Sequence, residues 1–142
     1  MPMEQTLTII KPHAIKDNKA TAILSMIAEA GFRFAALKMI RLSSFRAGEF
    51  YADHTGKSFC EHLVKMMSSG PIIVAILAKE NAVSDLRQLV GKTDPEKAEP
   101  GTIRKKFGRS MRENAIHASD SIDNARKECS FFFSDMERFR VE

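Results

Sequence analysis

The chain has 142 residues, of which 44% are hydrophobic and 28% charged, and this fits a single globular domain with a core large enough to fold unaided. Its 22 basic and 18 acidic residues give a net charge of +4, which leaves nucleic acid, an anionic membrane surface and small phosphate ligands as candidate partners. A membrane-spanning segment and a secretory signal are not expected, because the longest apolar run (Pro71 to Ala78) has only strand length and the first residues have no basic and apolar signal pattern.

The first half of the chain predicts alternating strands and helices. Thr6 to Ile10 is β-branched and apolar, which favours a strand. A helix follows, capped by Asp17 or Asn18 and ended by Gly31. Its predicted inward face consists of Ala20, Ile23, Ile27 and Ala30. The next predicted elements are a strand from Phe32 to Leu42, a helix from Ser43 or Ser44 through Tyr51, and a helix from about Ser58 to Met67.

The second half begins with a turn at Ser69-Gly70-Pro71 and a buried strand from Ile72 to Leu77. Asn81 is the predicted cap of a helix that ends before Gly91. No periodic pattern follows until about Arg112, and such a long loop in a compact domain is typical of a functional or a disordered segment. The last predicted elements are a short helix from Asp120 to Lys127 and a strand from Ser130 to Phe133.

Without the inserted helices, the predicted order is βαββαβ. This order is that of a ferredoxin-like α+β sandwich, in which helices cover an antiparallel four-stranded sheet. We therefore expect one domain spanning residues 1–142, with an inserted helical hairpin and a long loop before the segment around His117.

Two observations concern thiols and metals. Cys60 and Cys129 are too few for a disulfide framework, so we expect free thiols in a cytoplasmic protein. Histidines, cysteines and carboxylates do not occur at ligand spacing, so no protein-bound metal site is predicted.

Two features of the segment after Gly91 suggest chemistry. Five basic residues fall within nine positions and form either a solvated basic face or an anion site; they are Arg104, Lys105, Lys106, Arg109 and Arg112. His117 follows this cluster and lies between Asn114 and the polar Ser119-Asp120-Ser121. Imidazole nitrogen is able to attack phosphorus, so His117 is a candidate nucleophile, with a structural histidine as the alternative.

The segment Asn114-Ala-Ile-His117-Ala-Ser119-Asp120-Ser121 closely resembles the active-site signature Asn-x-x-His-Gly-Ser-Asp of nucleoside diphosphate kinases. Other segments resemble family blocks in the same order and spacing, so that the resemblance extends from about Glu4 to Phe133. These segments are Thr8-Ile-Ile-Lys11-Pro12, Ser69-Gly70-Pro71, Gly91-Lys-Thr93-Asp-Pro95 and Pro100-Gly101-Thr102-Ile103-Arg104.

The resemblance implies that His117 takes the γ-phosphoryl group from a nucleoside triphosphate, ATP being the usual donor, and gives it to a nucleoside diphosphate. It implies that Glu128 holds the imidazole by a hydrogen bond and that Ser119 supports this carboxylate, an arrangement that follows the logic of a catalytic triad. From the residues alone, Glu128 is better interpreted as a solvated charge near a helix end.

The resemblance also implies how the phosphates are bound. Lys11, Arg87 and Arg104 match phosphate-contacting cations, and Thr93 adds a hydroxyl donor. Tyr51 matches a tyrosine close to the nucleophile. Without the resemblance, Arg87 is an ordinary exposed helix residue and Tyr51 a packing residue.

The remaining implications concern the nucleoside, the metal and the assembly. Phe59 matches the aromatic on which the base stacks, and Asn114 matches a contact to the sugar. Stacking accepts any base, so broad base specificity is expected, as suits an enzyme that maintains nucleotide pools. Mg²⁺ is expected to arrive with the nucleotide phosphates. The short C-terminus resembles bacterial members, which are homo-oligomers, either tetramers or hexamers.

The chain departs from the family pattern at three places. Ala118 replaces the usual Gly after the nucleophile, and its methyl group is compatible with activity if its φ is negative. His13 replaces the polar or acidic residue after Lys-Pro and is not expected to be catalytic. Lys105, Lys106 and Arg109 make the loop more basic, which either strengthens phosphate attraction or is simply surface charge.

A different class of function is a single-stranded nucleic-acid-binding module, since ferredoxin-like sheets often bind single strands through exposed aromatics. The strand from Thr6 to Ile10 has no aromatic residue, and the run Phe131 to Phe133 looks like core. Weak and non-specific binding is therefore the most that we expect.

Overall fold

The computed structural model describes residues 3–52 and 60–141, and their centre is a four-stranded sheet. The strands lie in the order β2-β3-β1-β4, and each neighbouring pair is antiparallel. The strands are β1 (Gln5–Ile10), β2 (Arg33–Ile40), β3 (Ile72–Ala78) and β4 (Ile116–Ala118). This order confirms the ferredoxin-like α+β fold.

Helices cover the sheet, and several begin at residues that cap them. They are α1 (Pro12–Lys16), α2 (Ala20–Glu29), α3 (Ser44–Phe50), α4 (Cys60–Met67), α5 (Ala82–Val90), α6 (Ile103–Phe107) and α7 (Ile122–Phe132), with a 3-10 turn at Asp135–Glu137. Ser43, Thr102 and Ser121 cap α3, α6 and α7, because each side-chain oxygen accepts a backbone N–H of the first turn. Within residues 3–52 and 60–141, no helix is long and apolar enough to cross a membrane.

Alternation along the strands divides the core into two layers, one on each face of the sheet. Leu7 and Ile9 of β1 belong to the first layer, and Ile10 belongs to the second. The helix residues of the first layer include Ala47, Met67, Cys129 and Phe132, and those of the second include Ile23, Ile27, Leu86 and Val90. In β4 the same alternation buries Ile116 and Ala118 in the second layer, so that His117 points towards α3 and α7 on the first face.

The predicted strand from Ser130 to Phe133 is wrong, because these residues form the end of α7 and its C-cap. Ala125, Cys129 and Phe132 are buried at helical spacing, and a short apolar run does not by itself distinguish a strand from a buried helix. The fourth strand is instead β4, whose three residues are too few to give a periodic signal.

One helix boundary and one capping side chain differ from the predictions. Lys19, rather than Asp17 or Asn18, is the N-cap of α2, and it makes no side-chain cap hydrogen bond. Asn81 is the N-cap residue of α5, but its backbone is left-handed, with φ of 59°, and its side chain makes no cap hydrogen bond. The Glu4 carboxylate accepts the backbone N–H of Val83 at 2.8 Å instead.

Most other predicted elements agree with the structure to within two residues or extend past the described part, but the helix predicted to end at Lys127 continues to Phe132. The predicted start at Ser43 or Ser44 is confirmed, with Ser43 as the cap of α3, and Gly31 ends the α2 segment with φ of 94°, a conformation that glycine adopts without strain. Helix α4 is described from Cys60, and the predicted start at Ser58 lies outside the described residues. The segment predicted as a loop after Gly91 contains α6.

Candidate active site

A cleft of about 540 Å³ lies where β4 faces α3, α7 and the segment after α5. Six predicted site residues, each from a different element or loop, line it: Tyr51, Arg87, Thr93, Arg104, His117 and Glu128. The fold therefore brings together residues that are up to 77 positions apart in the chain (128 − 51).

The nucleophile candidate is held by a carboxylate. His117 Nε2 lies 2.7 Å from Glu128 Oε1, and both side chains keep about a fifth of their surface exposed (21% and 19%). A carboxylate accepts hydrogen bonds, so the imidazole donates from Nε2 and carries its lone pair on Nδ1. This arrangement leaves Nδ1 as the nitrogen available for attack.

Ser119 supports the carboxylate from the sheet side. Its side chain is fully buried, and its hydroxyl donates to Glu128 Oε1 at 2.7 Å. The same hydroxyl oxygen accepts the backbone N–H of Leu7 at 3.4 Å, and the Ser119 N–H donates to the Leu7 carbonyl at 3.1 Å. Strand β1 thus fixes Ser119, and Ser119 in turn fixes Glu128.

Aromatic rings of α3 close one side of the His117 ring. Phe50 makes an edge-on contact with it, with centroids 5.5 Å apart, and also contacts Tyr51 at 5.1 Å. Burial, followed by the nearby Glu128 charge, raises the pKa of Tyr51, so its phenol stays a hydrogen-bond donor at ordinary pH. Phe50 was missed in the sequence, and its adjacency to Tyr51 at the end of a helix was the available signal.

Arg104 on α6 lies partly buried beside β4. Its Nη1 donates to the Gly91 carbonyl at 3.1 Å and its Nη2 to the Ile116 carbonyl at 2.8 Å. Burial, followed by repulsion from Arg87, lowers the pKa of Arg104 to about 10. Its Nε is buried and has no hydrogen-bond partner within the described residues. Two cations are thus held near each other at a site that an anion would stabilise.

Lys11 and Asn114 lie behind the cleft rather than in its lining. Lys11 is only 5% exposed, and its Nζ donates to Asn114 Oδ1 at 2.7 Å. Burial, followed by repulsion from Arg104, lowers the pKa of Lys11 to about 7. The Asn114 amide nitrogen donates to the carbonyls of Thr93 and Met111, at 3.1 and 2.9 Å. Asn114 therefore links Lys11 to the segment that carries Thr93.

Pairing of β4 with β1 places these groups next to the nucleophile. His117 pairs with Ile9 in the sheet, and the Lys11 backbone N–H donates to the Ala115 carbonyl at 2.9 Å. Since Arg104 binds the Ile116 carbonyl, Lys11 and Arg104 are both anchored to backbone within two residues of His117.

Two positions discussed from the sequence remain, Phe59 and Ala118. Phe59 lies outside the described residues. Ala118 is part of β4, and the positive-φ residues other than glycine in the described chain are Asn18, Asn81 and Ala115, so the methyl group of Ala118 meets no backbone strain.

The basic cluster divides into one site residue and a solvated remainder. Arg104 is partly buried in the cleft, whereas Lys105, Lys106 and Arg109 are exposed, and Arg109 forms ion pairs with Asp17 and Glu113. Among the described residues, no group of three or more histidines, cysteines or carboxylates is arranged to hold a metal ion.

Comparison with protein families and curated sequences gives a consistent result. The family model "Nucleoside diphosphate kinase" matches residues 4–138. A nucleoside diphosphate kinase of Chlorobium limicola is 49% identical over 140 residues, which cover 99% of this chain and 100% of that protein. The enzyme of Chlorobaculum tepidum is 50% identical over 140 residues, with the same coverage.

Solved structures agree in fold as well as in sequence. The nucleoside diphosphate kinase of Aquifex aeolicus superimposes with a TM-score of 0.93 at 42% identity, covering 96% of this chain and 99% of that chain. The Halobacterium salinarum enzyme, solved in complex with CDP, superimposes with a TM-score of 0.94 at 32% identity, covering 99% and 93%. This chain belongs to the nucleoside diphosphate kinase family.

Proposed function

We propose that this nucleoside diphosphate kinase moves the γ-phosphoryl group through a phosphohistidine at His117. The observation that carries the proposal is the 2.7 Å hydrogen bond from His117 Nε2 to Glu128, which leaves Nδ1 with its lone pair at the edge of an open cleft. In the first half-reaction an N–P bond forms at Nδ1 while the bond between the γ-phosphorus and the β,γ-bridging oxygen breaks. The electron pair of that bond leaves with the nucleoside diphosphate.

The second half-reaction reverses the first with a different nucleotide. A terminal oxygen of a bound nucleoside diphosphate attacks the phosphorus, and the electron pair of the N–P bond returns to Nδ1. The ring is positively charged while it carries the phosphoryl group, and the Glu128 carboxylate stabilises this charge. One cleft therefore serves donor and acceptor in turn.

The phosphates are assigned to the cationic side of the cleft. Arg87, Arg104 and Thr93 line it, and Lys11 stands behind it with a desolvated ammonium group. Arginine suits this role because its planar guanidinium is able to meet two phosphate oxygens at once. Mg²⁺ enters as part of the nucleotide substrate, bridging phosphate oxygens and needing no protein cage.

The nucleoside contacts are assigned from the family resemblance. We expect the base to stack on Phe59, which suits purines and pyrimidines alike because stacking needs no base-edge hydrogen bond. The relative from Halobacterium salinarum was solved with CDP, which supports a diphosphate as ligand. Both N–H groups of the Asn114 amide already donate, to Thr93 and Met111, so the proposed sugar contact uses the second lone pair of Oδ1, beside Lys11, or displaces one of these bonds.

The assembly and the compartment are also proposals. We propose a homo-oligomer, either a tetramer or a hexamer, as the resemblance to bacterial members of the family implies. We propose the cytoplasm because Cys60 and Cys129 are both free thiols. Binding of single-stranded nucleic acid is expected to be weak and non-specific, since the strands at the centre of the sheet are covered on both faces.

Intact mass spectrometry after brief exposure to ATP and Mg²⁺ tests the mechanism. We expect the mass of one phosphoryl group to be added, with acid-labile and base-stable label, and we expect His117→Ala to abolish it. His62→Ala is the matched control, because His62 is an exposed histidine of α4, and it should label like the wild type. Label that persists in the His117→Ala protein contradicts the mechanism.

A further inference from the structure

His13 contacts the backbone that leads to the nucleophile. It lies on α1 directly after Lys11-Pro12 and is only 5% exposed. Its Nε2 accepts the backbone N–H of Ala115 at 2.8 Å, a contact that spans 102 positions in the chain. Ala115 is itself fully buried, so water does not replace this hydrogen bond.

Ala115 needs this support because its backbone is strained. Its φ is 77°, in the left-handed region that residues other than glycine rarely adopt. Its N–H is held by His13 and its carbonyl by the backbone N–H of Lys11 at 2.9 Å. The next carbonyl, that of Ile116, holds Arg104, and the residue after that is His117. A change at Ala115 therefore acts on the nucleophile and on two phosphate-binding cations.

The contact requires one protonation state of the His13 ring. Nε2 accepts a hydrogen bond, so the ring is neutral and carries its proton on Nδ1, which is buried without a partner in residues 3–52 and 60–141. A protonated ring would point an N–H at the Ala115 N–H, and the hydrogen bond would be lost.

The surrounding charges only partly oppose the effect of burial. Burial lowers the pKa of His13; the carboxylates of Glu113 and Asp17 raise it, and Arg109 and Lys11 lower it further. Lys16, on the same helix, lines the small cavity beside His13 together with Arg109 and Glu113. The neutral ring is therefore favoured near neutral pH, and acid removes the contact.

We propose that His13 is a positioning residue for phosphoryl transfer, whose neutral ring holds Ala115 in its strained conformation and thereby aligns His117, Lys11 and Arg104. This inference rests on the proposed function, but the contact itself is measurable without catalysis.

The test compares His13→Gln with His13→Leu. Gln places an amide oxygen near the position of Nε2 and accepts the Ala115 N–H at every pH, whereas Leu fills similar space and accepts nothing. His62→Gln, on the exposed side of α4, is the control for loss of an imidazole. The measurements are the rate of phosphoenzyme formation at saturating ATP as a function of pH, the ATP concentration at half-maximal rate, and the NMR signal and hydrogen exchange of the Ala115 amide.

We expect His13→Leu to form phosphoenzyme about tenfold more slowly, the rate equivalent of one hydrogen bond, with a similar half-saturating ATP concentration. His13→Gln should restore most of the rate, and in acid the wild type should lose more rate than His13→Gln. The Ala115 amide signal should titrate with the His13 ring in the wild type and stay constant in His13→Gln.

Two results overturn the proposal. The first is that His13→Leu forms phosphoenzyme as fast as the wild type and keeps its Ala115 amide protected from exchange. The second is that the Ala115 amide signal of the wild type does not change when the His13 ring is protonated. The amide titration uses the wild type and His13→Gln, so it decides the matter even if His13→Leu fails to fold. A wild type that takes no phosphoryl group contradicts the proposed function instead, and the amide measurement still tests the His13 contact.

Discussion

Replacing Glu128 with Gln tests how much its charge contributes to the transfer. Gln keeps the size of the side chain and an oxygen that accepts the His117 Nε2–H, and it removes the negative charge that faces the ring at 2.7 Å. A hydrogen bond to a charged group contributes about 1.5–3 kcal/mol, compared with about 0.5–1.5 kcal/mol for a neutral one. The loss of the charge should therefore cost about 1–1.5 kcal/mol, because both side chains are about one fifth exposed and solvent screens the interaction.

That free energy corresponds to an approximately 5- to 15-fold slower phosphorylation of His117. The carboxylate stabilises the positive ring more than the neutral one, so the loss should fall on the rate at saturating ATP and not on the ATP concentration at half-maximal rate. Rapid mixing with ATP and Mg²⁺, with acid-free quenching, measures this single turnover. Glu137→Gln is the control, because Glu137 is an exposed carboxylate that pairs with Lys38. A Glu128→Gln rate equal to that of the wild type, with His117 labelled in both, would refute the electrostatic role of the carboxylate.

Two further predictions follow from the burial of Lys11 and the strand geometry of Ala118. Because the pKa of Lys11 is lowered to about 7 from 10.5, the ligand-free protein should gain stability as pH rises between these values, and nucleotide binding at about pH 8 should take up a proton. Calorimetry in buffers of different ionisation enthalpy measures this uptake, which Lys11→Met should abolish; an equal uptake in both proteins contradicts the prediction. Ala118→Gly should lower the free energy of unfolding by about 0.5–1 kcal/mol and leave the phosphorylation rate unchanged, since Ala118 already has strand geometry. Urea unfolding and the single-turnover assay check it, and a markedly faster glycine variant would show that the methyl group hinders the reaction.

The sequence predicted the parts of the fold that have long periodic signals. Strands β1 and β3 and helices α2 and α5 bury residues at clear spacings, and their positions agree with the structure to within two residues. Strand β4 has three residues, and its place is set by pairing with β1 rather than by its own pattern. The apolar end of α7 was mistaken for a strand. Its residues are buried by contacts with the sheet, and the local sequence does not show whether such burial belongs to a helix or to a strand.

The residues of the candidate site were predicted from motifs that occur in the same order and spacing as in the family. The contacts between these residues were not predictable from the motifs. No spacing rule places Glu128 beside His117, since one lies on a helix and the other on a strand that cross in space. Lys11 and Asn114 were expected to contact substrate directly, whereas the structure joins them to each other behind the cleft. The contact between His13 and Ala115 was also not predicted, because the partner is a backbone N–H 102 positions away and backbone groups leave no signature in a sequence.

Burial lowers the pKa of Lys11 and of Arg104 in the free protein, and we expect the same burial to favour binding of a polyphosphate. Lys11 and Arg104 lose hydration and repel neighbouring cations, so the pKa of each falls below its ordinary value. A nucleoside triphosphate supplies several negative charges at once, and in the proposed site we expect its binding to reverse both effects, because each ammonium and guanidinium would gain an anionic partner. In the proposed site the protein thus holds Lys11 and Arg104 in place before the substrate arrives, at some cost in stability, and Lys11 gains its proton as the phosphates bind. This cost requires rigid anchors: the Lys11 backbone N–H binds the Ala115 carbonyl, the Arg104 guanidinium binds the Ile116 carbonyl, and the Lys11 ammonium is held by the buried Asn114 side chain.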